Sequence, residues 1–262
     1  LPAPRLQAYV SHYWLSRGNT APLCPVLPDG AVDLVFTAGV RDPQAAVYGT
    51  ATRRTDIALE AGAHYLGVSF RPGQSRHFLD TPARALTDGA APADDVLRFD
   101  PAMMAAGFAG GRREVFALLD AMLERHLSHC PPARLPVDGV IDAIVAARGL
   151  LALPDAWAGG FRSPRQLERS FLDNVGVPAK FFAQVVRFRH AAVLVARSAL
   201  PLAAVAAASG FADQSHMTNA FRRFAGLPPS AWARTNVVFL QDPRQPGAEN
   251  LLRDQPLAGE EE

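Results

Sequence analysis

Cysteine is scarce in this chain: Cys24 and Cys130 are the only two among 262 residues. Two thiols 106 positions apart supply neither a disulfide scaffold nor a four-thiolate zinc site. Histidine is thinly spread as well. His12, His64 and His77 scatter over the first third with Cys24, and none falls in a metal motif such as HExxH. Ser69 and Ser75 sit in no GxSxG nucleophile elbow. No metal, cofactor or catalytic residue is therefore expected. There is no signal peptide and no apolar run of about 18 residues, so nothing argues for export or membrane spanning, and a soluble cytoplasmic protein is the expectation. Charge is low too, at 19% of residues, whereas apolar residues reach 49%. The length suits one large domain or two ordinary ones, with material for a real core.

The near-neutral total of +1 conceals an asymmetry. Residues 150–236 hold ten Lys and Arg against four Asp and Glu, whereas the remainder holds 16 basic and 21 acidic residues. A basic module within a neutral chain suits a polyanionic partner; a merely solvated surface is the plainer alternative.

The first 100 residues read as short strands and turns. AVDLVFTAG (Ala31–Gly39) follows a PDG turn at Pro28–Gly30, and HYLGVSF (His64–Phe70) is closed by RPG at Arg71–Gly73. Asp29 and Asp33 beside the PDG turn read as turn and cap residues, and Cys24 as apolar filler. REVFALLDAMLERHL (Arg113–Leu127) has helical spacing, with Val115, Leu118, Leu119, Met122 and Leu123 on one stripe. CPPARLP (Cys130–Pro136) breaks it. Helical patterns then continue to about Thr235, ahead of a polar, acidic tail. The expected fold class is α+β with two domains. A mostly-β, barrel-like N-terminal domain spans residues 1–130 with its trailing helix. A linker follows at 131–136, an all-α domain at 137–240, and the tail at 241–262.

Within the helical region a single pattern occurs twice. GFRSPRQLERSFLDNVGVPAKFF (Gly160–Phe182) aligns without a gap on GFADQSHMTNAFRRFAGLPPSAW (Gly210–Trp232). Gly160 falls on Gly210, Leu167 on Met217, Phe171 on Phe221, Gly176 on Gly226 and Pro178 on Pro228. Apolar positions persist and polar ones change, as in a structural unit used on two surfaces. In the second copy, Pro201 opens a helix whose Leu202, Val205 and Ala206 share a face. Gly210 ends it, Phe211 plugs the turn, and Asp213 caps the next helix. Met217, Ala220, Phe221 and Phe224 then point inward, while Gln214, Ser215, His216, Thr218, Asn219 and Arg222 lie on the outer side, with Arg223 beside them. In the first copy Leu151, Leu153, Ala156 and Trp157 form the leading helix and Gly159 and Gly160 the turn. Ser163 caps, Pro164 follows, and Arg165, Gln166, Glu168 and Arg169 face outward. Each copy is a helix-turn-helix whose second helix suits a major groove. Arg can bind guanine bidentately, Gln can read adenine, and Glu can accept from cytosine. Ala179–Ser198 between the copies reads as a helix of about 30 Å, long enough to hold two such units apart.

SPRQLERSF (Ser163–Phe171), GVPAKFF (Gly176–Phe182), RFRHA (Arg187–Ala191) and above all the second copy resemble the AraC/XylS family of bacterial transcription regulators. The resemblance implies two helix-turn-helix subdomains on a long helix, binding double-stranded operator DNA. It assigns base contacts to Arg165, Glu168 and Arg169 in the first recognition helix and to Gln214, Ser215, Thr218 and Asn219 in the second. Family members often carry Arg where this chain has Asn219. LPDGAVDLVF (Leu27–Phe36) and YLGVSFRPGQSRHFL (Tyr65–Leu79) resemble, more loosely, the β-rich domain fused to this module, which implies effector sensing or dimerisation. Expected partners are thus DNA, a small organic effector, a second copy through the N-terminal domain, and RNA polymerase, but no membrane. The apolar runs around Leu34–Phe36 and Leu66–Phe70 either line a pocket or pack a solid barrel; in a pocket, His64, Tyr65 and Arg76 would orient the ligand. The alternative function is a small-molecule-binding or enzymatic protein whose helical module has lost DNA affinity, a reading that Glu168 and Asn219 motivate.

Overall fold

The computed structural model describes residues 1–40, 42–98, 110–150 and 160–234. The expected leading helix at Leu151–Trp157, with Gly159, and the tail at 241–262 lie outside them.

Among the described residues, seven short strands build the N-terminal domain: β1 (Val10–Ser16), β2 (Leu23–Val26), β3 (Asp33–Ala38), β4 (Gln44–Tyr48), β5 (Thr55–Ala58), β6 (His64–Phe70) and β7 (Ala90–Pro92). Five of them form an antiparallel sheet in the order β1-β6-β3-β4-β7, while β2 and β5 pair as a separate ribbon. The barrel-like expectation thus becomes an open sheet plus a ribbon. Successive side chains of a strand point to opposite faces, and register aligns these faces across the sheet. Leu34, Phe36, Val47, Leu66, Val68 and Phe70 share a core with the helices that follow, α1 (Ala93–Val96) and α2 (Arg112–His129). From α2 come Val115, Leu119, Met122 and Leu123. Leu118, expected on the same stripe, is 39% exposed; it lies about 100° around the helix from Leu119. Asp120 ties α2 down, accepting from the Tyr13 hydroxyl and the Ala3 amide, each at 2.9 Å.

The C-terminal helices are α3 (Pro136–Ala146), α4 (Pro164–Val175), α5 (Ala179–Arg197), α6 (Leu202–Ala208), α7 (Gln214–Ala225) and α8 (Pro229–Trp232). Pro136, expected as the last linker residue, is already the first residue of α3, where its missing N–H costs nothing. The helices make two cores. Val137, Ile141 and Ile144 of α3 pack with Leu167, Phe171 and Val175 of α4 and Phe182 of α5. Phe188 of α5 packs with Val205, Met217, Phe221, Phe224 and Trp232. Its ring stands 5.1 Å from Phe221, edge-on, and 5.3 Å from Phe224. The long helix therefore contributes its first turns to one core and its later turns to the other. Each buried Phe contributes about 1.5–3 kcal/mol, and this fixes the two units on one rod.

Candidate nucleic-acid interface

The two units repeat at a spacing of 50 residues down to their caps. Ser163 Oγ accepts from the Gln166 amide at 3.2 Å, and Asp213 Oδ1 accepts from the His216 amide at 2.7 Å. Gly176 and Gly226 end α4 and α7 in the left-handed region, at φ 87° and 70°, where a Cβ would be strained. Gly210, at φ 68°, makes the turn before α7, and a Cβ there would strike the Leu150 side chain. Between the caps, Leu167 and Phe171 in one helix and Met217, Phe221 and Phe224 in the other are buried, whereas Ala220 is half-buried.

Arg165, Gln166, Glu168 and Arg169 are exposed on α4, as are Gln214, Ser215, His216, Asn219, Arg222 and Arg223 on α7; Thr218 is half-buried. Several of these groups are already engaged. Gln166 Oε1 accepts from the Arg162 amide at 2.8 Å, so its amide group supports the helix start. The Thr218 hydroxyl donates to the Gln214 carbonyl at 2.8 Å. His216 stands edge-on to Phe211, with centroids 5.3 Å apart. Arg223 lies over the Phe181 and Phe224 rings, at 5.2 and 5.0 Å, and donates to Gln184 Oε1 at 3.1 Å. A hollow of about 520 Å³ joins these residues to the long helix, lined by Lys180, Gln184 and Arg187 together with His216, Asn219 and Arg223. Lys180, Gln184 and Arg187 are not among the residues expected at the interface. Their spacing of four and three is that of one helical face, and it is visible in the sequence.

The N-terminal domain seats against the opposite ends of both outward helices. The Thr50 hydroxyl donates to the Val175 carbonyl at 2.6 Å and the Thr87 hydroxyl to the Gly176 carbonyl at 2.8 Å, both at the end of α4. Arg84 pairs with Asp173 on the same helix. Arg54 Nη1 reaches the Ala225 carbonyl, at the end of α7, at 3.4 Å. Arg76 and Gln74 hold Asp138 of α3 at 2.8 and 3.0 Å. Leu27 enters the second helical core, and Gly30 comes so close to Phe182 that a Cβ would lie 2.5 Å from its ring.

Between the sheet and the β2–β5 ribbon lies a cavity of about 350 Å³. His12, Trp14, Asp33, Val35, Tyr48 and Tyr65 come from one face of the sheet, and Cys24, Val26 and Ile57 from the ribbon. Of the three residues expected to orient a ligand, Tyr65 lines this cavity. His64 opens the interior strand β6 and accepts from the Gly18 amide at 3.0 Å, and Arg76 belongs to the pairing with Asp138. Asp29 and Asp33, read from sequence as turn and cap residues, both line the cavity; the alternation of β3 sends Asp33 inward with Val35. Burial, then the charge of Asp29, pushes the Asp33 carboxyl up to about 7. Burial also raises Asp29, against the pull of Arg189 on α5. His12 falls to about 4 through burial, then through the charge of Arg189. Burial raises the Cys24 thiol, which is half-buried at the cavity wall. Among the described residues no helix is long and apolar enough to cross a membrane, and no group of three or more His, Cys, Asp or Glu is arranged to hold a metal ion.

Residues 1–92 match a family described as a domain of unknown function (DUF6597). The HTH-type transcriptional regulator GlxA of Rhizobium meliloti (strain 1021) is 35% identical over 72 residues, which is 28% of this chain and 22% of that protein. Among solved structures, ToxT from Vibrio cholerae in its P21 form has a TM-score of 0.46 at 11% identity, over 85% of this chain and 97% of that one. ToxT from Vibrio cholerae O395 bound to (E)-4-(8-methylnaphthalen-1-yl)but-3-enoic acid also has a TM-score of 0.46, at 9% identity and the same coverage. Residues 161–235 match the family described as a helix-turn-helix domain, and with that match the C-terminal segment is of the AraC/XylS type.

Proposed function

We propose that this protein is a sequence-specific DNA-binding transcription regulator whose operator affinity responds to a small effector in its N-terminal domain. One observation carries this reading: two capped helices expose polar N-terminal halves, that of α4 carrying Arg165 and Arg169, and both rest their C-terminal ends on the domain that holds the cavity. In this reading residues 1–130 sense and residues 137–240 bind DNA. Arg165, Gln166, Glu168 and Arg169 face one major groove, and Gln214, Ser215, His216, Thr218, Asn219 and Arg222 face the next. The 19 residues of α5 span about 28 Å at 1.5 Å per residue, against about 34 Å between successive grooves on one DNA face. Lys180, Arg187 and Arg223 supply positive charge between the two readers for phosphate. An effector must bind the two DNA-affinity states differently to act, and contacts at the ends of both helices give it a route.

Mobility shifts of the full chain on genomic fragments, across a salt series, test this. A subset of fragments should bind, with affinity falling steeply as salt rises because phosphate contacts release counterions. Equal binding to every fragment removes sequence specificity, and no shift on any fragment at low salt returns the chain to the alternative of a ligand-binding protein without DNA affinity.

A further inference from the structure

We propose that the cavity between the five-stranded sheet and the β2–β5 ribbon takes a small organic cation, an amine or amidine on a compact apolar body, whose charged end sits at Asp29 and Asp33 in competition with Arg189. This deepens the effector reading above and rests on it.

The wall chemistry is one-sided. Asp29, Asp33 and Asp88 line the cavity, and no Lys or Arg is among the described lining residues. Asp29 is only 6% exposed. Its Oδ1 accepts from the Ala31 amide at 2.9 Å, while its buried Oδ2 makes no hydrogen bond. A buried carboxylate oxygen without a donor is costly, and a ligand N–H is the group that relieves it. Both carboxyls are raised first by burial, and Asp33 then by the charge of Asp29; a ligand cation paired with both would relieve that second cause. The rings of Trp14, Tyr48 and Tyr65 add to this, since aromatic faces attract cations. Trp14 is set by the sheet itself, because its indole lies where a Cβ of Gly67 would stand. His12 is no rival cation, being lowered to about 4, and its Nδ1 makes no hydrogen bond. A carboxylate or phosphate would meet three acids and, among the described lining residues, no Lys or Arg. The remaining wall is aliphatic, with Val26, Leu27, Val35 and Ile57. A volume of about 350 Å³ is at the small end of the ~300–1,000 Å³ typical of ligand pockets, which limits the body to one or two rings.

Arg189 makes the site more than a container. It belongs to α5, the helix shared by both DNA-binding units, and its charge reaches both Asp29 and His12. A cation lodged between Asp29 and Asp33 cancels the charge that attracts Arg189. Occupancy of the cavity is thereby felt on the rod that sets the two recognition helices.

The test uses the full chain, calorimetric titration and thermal shift. The probes are primary amines, amidines and quaternary ammonium ions from methylamine to tryptamine in size, each beside its alcohol and carboxylate isostere. At least one cation should bind tenfold or more tighter than both isosteres and raise Tm. Asp29→Asn and Asp33→Asn should each weaken it tenfold or more. Arg189→Gln should tighten it severalfold by removing the competitor, a gain that a misfolded variant cannot imitate. The proposal is overturned if no cation binds, if an isostere binds as well as its amine, or if Arg189→Gln leaves affinity unchanged or lower. Operator titration with each binder separates the two readings. A cation that binds without altering operator affinity refutes the effector role and leaves the site. An alcohol or carboxylate that binds and alters operator affinity refutes the cation class and leaves the effector role.

Discussion

Arg222 and Arg223 are sequence neighbours with different surroundings. Arg222 is exposed, whereas Arg223 stacks on Phe181 and Phe224 and bonds Gln184. Replacing Arg222 with Ala should leave unfolding unchanged and reduce the salt slope of DNA binding by about one, the signature of a lost phosphate contact. Arg223→Ala should also lower stability, by about 0.5–1 kcal/mol from the lost cation–π contact, as measured by urea denaturation. On α4, Arg165→Ala should cost about 1–3 kcal/mol at one base pair and relax preference there, read by competition with single-base operator variants; a uniform loss would instead assign it to phosphate. Asp33 supports a prediction that needs no DNA. Its carboxyl, ordinarily near 3.8, is raised to about 7, so the folded chain holds a proton that the unfolded chain releases. That stabilisation is complete below 3.8 and is lost as pH climbs through 7. His12 and His77 are lowered to about 4, so their contribution has the opposite sign and is lost as pH falls below 6.5. These opposing contributions overlap, so the Asp33 part is read as a difference between two chains. In urea titrations the stability of the unaltered chain relative to Asp33→Asn should fall as pH climbs through 7.

At the scale of elements, the caps are the most economical test of the twofold design. Asp213→Ala removes the acceptor for the His216 amide and should cost about 0.5–2 kcal/mol, with Ser163→Ala acting on α4 in the same way. Asp213→Asn should restore most of the loss, since Asn caps as well as Asp; equal unfolding midpoints for all three chains would remove the capping role. These features are legible in the sequence because each is local. Ser-Pro, Asp ahead of Met217 and its neighbours, and Gly at the turn specify a helix start or stop without help from distant residues. The strand His64–Phe70 is legible for the same reason, being a seven-residue apolar run closed by a turn. The ribbon is not: β2 and β5 have four residues each, with Pro25 in one and Asp56 in the other, and only their pairing makes them strands. Asp29 and Asp33 read as turn and cap residues because a turn and a cavity wall draw on the same residue types. What separates the two roles is the register of β3 against β4 and β6, a long-range fact. Arg76 looks like a ligand group for a related reason, since Asp138 lies 62 residues away in sequence.

For the molecule as a whole, several contacts between the domains fall at helix ends. The Thr50 hydroxyl is buried and meets the Val175 carbonyl; the Thr87 hydroxyl meets the carbonyl of Gly176, the residue that ends α4. Helix C-terminal carbonyls lack intrahelical partners, so these two threonines satisfy groups that the helical domain cannot satisfy alone. Replacing both with Val keeps the shape, removes both donors and leaves buried acceptors unpaired, at about 1–3 kcal/mol each. Neither residue is near the N-terminal halves of α4 and α7 that face outward. If the domains act as one cooperative unit, the unaltered chain should unfold in a single calorimetric transition, and Thr50→Val with Thr87→Val should lower its midpoint or divide it in two. Operator affinity should change as well, although no residue facing DNA has been touched, because the end of α4 is no longer held against the sheet. Gly30→Ala should act in the same direction from another side, since its methyl group would press on Phe182 in the long helix at a residue with φ of 80°. Unchanged melting and unchanged operator binding in both variants would mean that the helical domain works independently of its neighbour, and that the route from cavity to recognition helices does not pass through this interface.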